Sequence, residues 1–207
     1  MTRPSQACAV LAIGLLLCGA AWAGSHGHKG SRPDKKGILL VAFGSSYPQA
    51  QASFENIEAQ VKKSFPETPV RWAFTSRIIR SKLARKGKDL HSPATALARM
   101  RDEGFTRVAV QSLHTIPGAE FHDLQSIVSG FQSMSGGFEQ LLLGRPLLAA
   151  PEDLERVQQA LLENIPPKRK AEEAVIFMGH GTHHPSNAFY PAMAYGLQHK
   201  DRNIYLG

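Results

Sequence analysis

Cysteine is what this chain has least of: its 207 residues include two, Cys8 and Cys18, both within the first 23. If that segment is removed, neither a disulfide nor a thiolate metal site remains, so a metal would have to be held by nitrogen and oxygen. Other signatures are missing too. No G-x-G-x-x-G and no Walker lysine occur, which leaves a nucleotide fingerprint unsupported. The G-x-S-x-G elbow of a metal-independent α/β hydrolase is also absent. Long apolar runs are scarce: the N-terminal one, about Ala7 to Trp22, is too short to span a bilayer comfortably.

That run has the form of a signal peptide, with Arg3 before it and Ala21-Trp22-Ala23 as an A-x-A cleavage site. It predicts a periplasmic protein without a stable membrane anchor, cleaved after residue 23; a retained anchor is the rival reading. Residues 24–35 then form a flexible, histidine-containing leader. A free amine at Gly24 with His26 in third position would offer Cu(II) or Ni(II) a square-planar set. The formal charge of +7 falls by one when Arg3 is removed. Such an excess favours acidic partners, and for an exported protein these are anionic lipid or a polycarboxylate ligand rather than nucleic acid.

Past the leader, apolar runs of strand length alternate with amphipathic stretches of helical period. Strands are predicted over 37–43, 69–74, 106–113, 138–143, the run before His180, and 203–207; helices are predicted over 49–65, 77–86, 94–103, 120–131 and 152–165, with another after the His180 loop. Phe54, Ile57, Val61 and Phe65 make one inward face, and Ile78, Ile79 and Leu83 another. This alternation is that of a parallel sheet wrapped on both faces. The fold class is α/β, with a first unit over 36–148 and a second, similar unit begun over 149–207 and left incomplete, so that the sequence reads as truncated.

The candidate chemistry gathers at strand ends. Val175-Ile176-Phe177-Met178-Gly179-His180-Gly181 places His180 at a strand's carboxyl edge between two glycines, where open α/β sheets bind ligands. An imidazole there reads either as a metal ligand or base, or as a loop histidine bonded to a carbonyl. His114, Glu120 and His122 form a second cluster, in which Glu120 reads as a metal or proton-handling carboxylate or as a first-turn helix residue favoured by the macrodipole. Gly44-Ser45-Ser46-Tyr47 follows the first strand, and its amides could cradle an anion. Arg77 and Arg80 could pair with ligand carboxylates or form a solvated face. His91 reads as an exposed loop histidine or, near a symmetry axis, an axial haem ligand.

Taken together in this order, Gly44-Ser45-Ser46-Tyr47, Ser112-Leu113-His114 with Pro117-Gly118-Ala119-Glu120, and Phe177-Met178-Gly179-His180-Gly181 resemble the anaerobic cobalt chelatases. These are sirohydrochlorin cobaltochelatases of the class II chelatase superfamily, and the likeness runs from about Lys36 to Gly207. It implies two similar flavodoxin-like or Rossmann-like halves around a tetrapyrrole cleft, and ATP-independent insertion of Co2+, or Fe2+, into sirohydrochlorin in tetrapyrrole and cobalamin biosynthesis. It further implies His180 and Glu120 as metal and catalytic residues, with Ser45, Ser46, Tyr47, Arg77 and Arg80 as contacts for the acidic tetrapyrrole. The family carries a further metal histidine in its last third, and this sequence stops before that region. Export is what the resemblance leaves unexplained. A periplasmic carrier of haem, another tetrapyrrole or a metal ion on the same scaffold is therefore the alternative, with His26, His28 and His91 in its favour. A homo-oligomer stays open.

Overall fold

A computed structural model describes residues 33–207. The segment 1–23 expected to be a signal peptide, His26, His28 and most of the expected leader lie outside the described residues. Strand β1, Lys36–Ala42, is buried at every position after Lys36. It lies between β2, Val70–Phe74, and β3, Arg107–Ser112, with β4, Gln140–Gly144, beyond β3. All pairings are parallel, in the order β2-β1-β3-β4.

Each crossover is helical: α1, Gln49–Ser64; α2, Arg77–Ala84; α3, Pro93–Asp102; α4, Ala119–Ser133. Ser76 Oγ accepts from the Ile79 N–H and Ser92 Oγ from the Thr95 N–H, so α2 and α3 start where a hydroxyl satisfies an otherwise unpaired amide. Pro93 opens α3, where its missing N–H costs nothing. On one sheet face Leu39, Val41, Val108, Val110 and Leu141 pack against Leu97 and Met100 of α3 and Leu124 and Val128 of α4. On the other, α1 sets Phe54 edge-on to Trp72 and Phe74 of β2, with ring centroids 5.4 and 5.8 Å away.

Full wrapping of the sheet does not hold. Residues of β3 alternate between exposed and buried, and Ala109, Gln111 and Leu142 stay open to solvent on the face where α1 covers only the β2 side. Two residues expected inside are also outside. Phe65 follows the last turn of α1 and is 54% exposed; Ile78, 76% exposed, is in the first turn of α2.

The second half holds α5, Pro151–Glu163; β5, Val175–Phe177; a 3-10 turn, Pro185–Ala188; α6, Phe189–Lys200; and β6, Ile204–Leu206. β5 and β6 pair in parallel as a separate two-stranded sheet. Leu148, Met193, Leu197 and Ile204 form its core, with Leu154, Val157 and Leu161 of α5 packed against them. The architecture is thus α/β, a parallel four-stranded sheet and a second, small parallel one. They are stitched together after β4, where the Leu147 and Leu148 N–H groups donate to the His114 and Thr115 carbonyls at 2.9 and 2.8 Å. Ile116, from the loop after β3, packs on the second core.

Candidate active site

The end of β1, the loop after β3 and the loop after β5 open onto one cleft of about 860 Å3. This is the crevice beyond the carboxyl ends of the strands. Phe43 comes from the first of these, His114 to Ile116 from the second, Glu120 from the start of α4, and His180 to His183 from the third; Tyr190 of α6 completes the wall. His180 and Glu120, far apart in sequence, are brought to the same cleft.

The two readings of His180 prove compatible. Its Nδ1 lies 2.9 Å from the Gly181 carbonyl oxygen. A carbonyl only accepts, so Nδ1 carries the proton and Nε2 keeps its lone pair, the state in which an imidazole binds a metal. A loop hydrogen bond at Nδ1 and an unshared Nε2 thus occur on the same ring. Gly181 adopts a φ of 66°, in the left-handed region that glycine enters without penalty. His184 is in the opposite state. Its Nδ1 accepts from the Ser186 N–H at 3.1 Å and caps the 3-10 turn, which leaves the neutral ring protonated at Nε2 and without a free lone pair. The His184 ring also meets that of His122 on α4, with centroids 5.0 Å apart, so the start of α4 abuts the His180 loop.

Glu120 is half-buried in the first turn of α4, where the helix N-terminus favours its negative charge. Behind it His114 is 9% exposed, with Ser112 Oγ 2.9 Å from Nδ1 and Thr75 Oγ1 3.4 Å from Nε2. Burial pushes the His114 imidazole below its ordinary 6.5, while the negative charge of Glu120 pulls the other way. It is a neutral base in the cleft wall. Among the described residues, no three histidine, aspartate or glutamate side chains converge where a metal ion could be held. His180 and Glu120 would thus leave the ion's other positions to water or to an incoming ligand.

The remaining candidates lie elsewhere. Ser45 Oγ accepts from the Tyr47 N–H at 3.2 Å, and the exposed Tyr47 ring has Lys82 Nζ 6.0 Å from its centroid. Arg77 is exposed; Arg80 is half-buried, and its Nε is buried without a hydrogen-bond partner among the described residues. Ser45, Ser46, Tyr47, Arg77 and Arg80 do not line the cleft. His91, expected to be exposed, is half-buried: its carbonyl accepts from the Phe74 N–H, and Arg99 Nη1 donates to its Nε2 at 2.7 Å. It borders a separate hollow of about 150 Å3 with Arg71, Trp72 and Arg99. Sequence reasoning gave no role to Phe43, which reads as a strand's last residue, or to Tyr190, which reads as one apolar position of a helix. Nothing in a single sequence separates a cleft aromatic from a core one.

A family model described as Cobalt chelatase (CbiK) matches residues 36–207. The chain is 46% identical over 173 residues to the sirohydrochlorin cobaltochelatase CbiKC of Nitratidesulfovibrio vulgaris, covering 84% of this chain and 61% of that protein. It is 37% identical over 161 residues to the sirohydrochlorin cobaltochelatase of Salmonella typhimurium, covering 77% of this chain and 60% of the relative. The chain thus spans about three-fifths of the length of these curated relatives.

Proposed function

Because the chain belongs to the cobalt chelatase family, we propose that it inserts Co2+ into sirohydrochlorin, the reaction for which both relatives are named. The observation that carries this reading is His180, whose Nδ1–H is held by the Gly181 carbonyl so that Nε2 offers a lone pair in the cleft that also holds Glu120. Insertion exchanges two pyrrole N–H protons for one divalent ion. His180 Nε2 and the Glu120 carboxylate hold the ion loosely through nitrogen and oxygen while its waters leave. Either group, once released from the metal, can accept a pyrrole proton, and the neutral His114 stands behind them as a further acceptor. No step calls for ATP. Fe2+ has the same charge and suits the same donors, so supply and cleft geometry decide between the two ions.

We further propose that the protein works in the periplasm, on the strength of the N-terminal signal pattern. An exported chelatase acts away from the main route of tetrapyrrole synthesis, which gives the carrier reading its place. For haem the supporting feature is His91: Arg99 donates to Nε2, so the proton is on Nδ1 and the Nε2 lone pair is the one an iron would take once Arg99 moves aside. A homo-oligomer that shares such a haem is part of that second reading.

Anaerobic incubation of the purified chain with sirohydrochlorin and Co2+, followed by absorbance, tests the main reading. The expected result is insertion above the metal-only rate, reduced about 100-fold or more in His180→Ala. Insertion retained in that variant would remove His180 from the mechanism. Tetrapyrrole binding without insertion would favour the carrier, and a Soret band in the same preparation that vanishes in His91→Ala would identify its cargo as haem.

A further inference from the structure

The polar groups of the cleft account for a metal and for protons; its aromatic groups are unexplained. Phe43 follows a strand that is buried from Gly37 to Ala42, yet it is 49% exposed and faces the cleft. About half of so large a ring is left in water, apolar area that a bound ligand could cover. Tyr190, in the first turn of α6, lies directly against the backbone of the His180 loop. A Cβ added to Gly179 would stand 2.7 Å from Tyr190 Cε1 and 2.8 Å from Cδ1. No residue with a side chain fits beneath that ring, so the position next to His180 must stay bare for Tyr190 to lie where it does. The two rings come from different halves of the fold, Phe43 from the four-stranded sheet and Tyr190 from the helix that covers the small one.

We propose that Phe43 and Tyr190 are the specificity-determining faces that hold a flat conjugated macrocycle, and that bare Gly179 sets how close the Tyr190 ring, and the ligand on it, comes to His180. This deepens the chelatase reading and rests on it. Aromatic rings prefer offset-stacked or edge-to-face contact with a π-system, and such contact favours binding beyond the area it buries. A stacked macrocycle would be held without charge, leaving His180, Glu120 and His114 free for the exchange of protons for metal.

Metal-free sirohydrochlorin is titrated into the full chain and its fluorescence followed, with Co2+ titrated separately into tetrapyrrole-free protein and circular dichroism used to check folding. Phe43→Leu and Tyr190→Leu keep the apolar bulk but lose the π-face; each should raise Kd for the tetrapyrrole about 2- to 10-fold. Tyr190→Phe should bind like the parent, and the Co2+ affinity of all three should be unchanged. Gly179→Ala should weaken tetrapyrrole binding in the parent but add nothing in a Tyr190→Leu background, since the ring it displaces is gone. Because Phe43 is exposed, its variant remains informative even if Tyr190→Leu folds poorly. A folded Phe43→Leu or Tyr190→Leu that binds sirohydrochlorin as tightly as the parent overturns the proposal while leaving the chelatase reading intact. A parent that does not bind sirohydrochlorin overturns both.

Discussion

His114 is the residue whose environment most clearly exceeds what its neighbours in sequence convey. Hydroxyls from Ser112 and Thr75 stand at its two ring nitrogens, and burial holds its pKa below the ordinary 6.5, against the opposing pull of the Glu120 charge. Folded protein therefore binds fewer protons at this site than unfolded protein does as pH drops below about 6.5. The stability this histidine contributes is complete above that pH and is lost as pH falls toward its lowered folded value. Thermal unfolding between pH 7.5 and 5.5 should accordingly show a steeper loss of Tm for the parent than for His114→Gln. Equal slopes would mean that its burial carries no protonation cost. His180 and His184 make the same point about tautomers: two histidines in one loop hold opposite states because one faces a carbonyl and the other an N–H.

At the level of elements, β1 is the strand on which the larger sheet depends, and its first turn into the core is tight. Gly37 lies beneath α3 and the aromatic residue that follows it: a Cβ would stand 2.7 Å from Met100 Cε and from two ring carbons of Phe105. Met100 and Phe105 are each 1% exposed, so neither has water to move into. Gly37→Ala should lower unfolding free energy by about 1–3 kcal/mol, the usual cost of overpacking, and the denaturant midpoint would report it. Pairing the change with Phe105→Leu should recover part of the loss; no recovery would place the strain elsewhere. The alternation of β3 has a different consequence. Its Ala109 and Gln111 face solvent because α1 packs on β2 and leaves β3 bare on that side.

At the scale of the molecule, the described residues form two cores of unequal size. The first joins twelve buried residues from the four strands, from α3 and α4 and from the turn after α3; the second has four. The smaller one is helped by Arg169, whose guanidinium pairs with Asp201 and holds that carboxyl below its usual range, tying the segment before β5 to the turn before β6. Amide exchange should be slowest in β1 and β3 and distinctly faster in β5 and β6. Arg169→Ala should speed exchange in β5 and β6 alone. A uniform acceleration would mean that the two cores open as one unit.

Most of the secondary structure, the parallel α/β class and the presence of His180 and Glu120 at strand and helix ends were legible in the sequence, because period, caps and punctuation act over a few residues. The capped starts at Ser76 and Ser92 and the turn at Gly181 are local in the same sense. Tertiary structure alone decided that His180 and Glu120 share one cleft, that His114 is buried in its wall, that Arg99 occupies His91, and that Phe43 and Tyr190 line the cleft rather than a core. It also decided which sheet face goes uncovered. The physical reason is common to all of these: side-chain chemistry fixes what a residue can do, but burial, tautomer and neighbourhood depend on groups that sequence separation does not encode and only packing brings together.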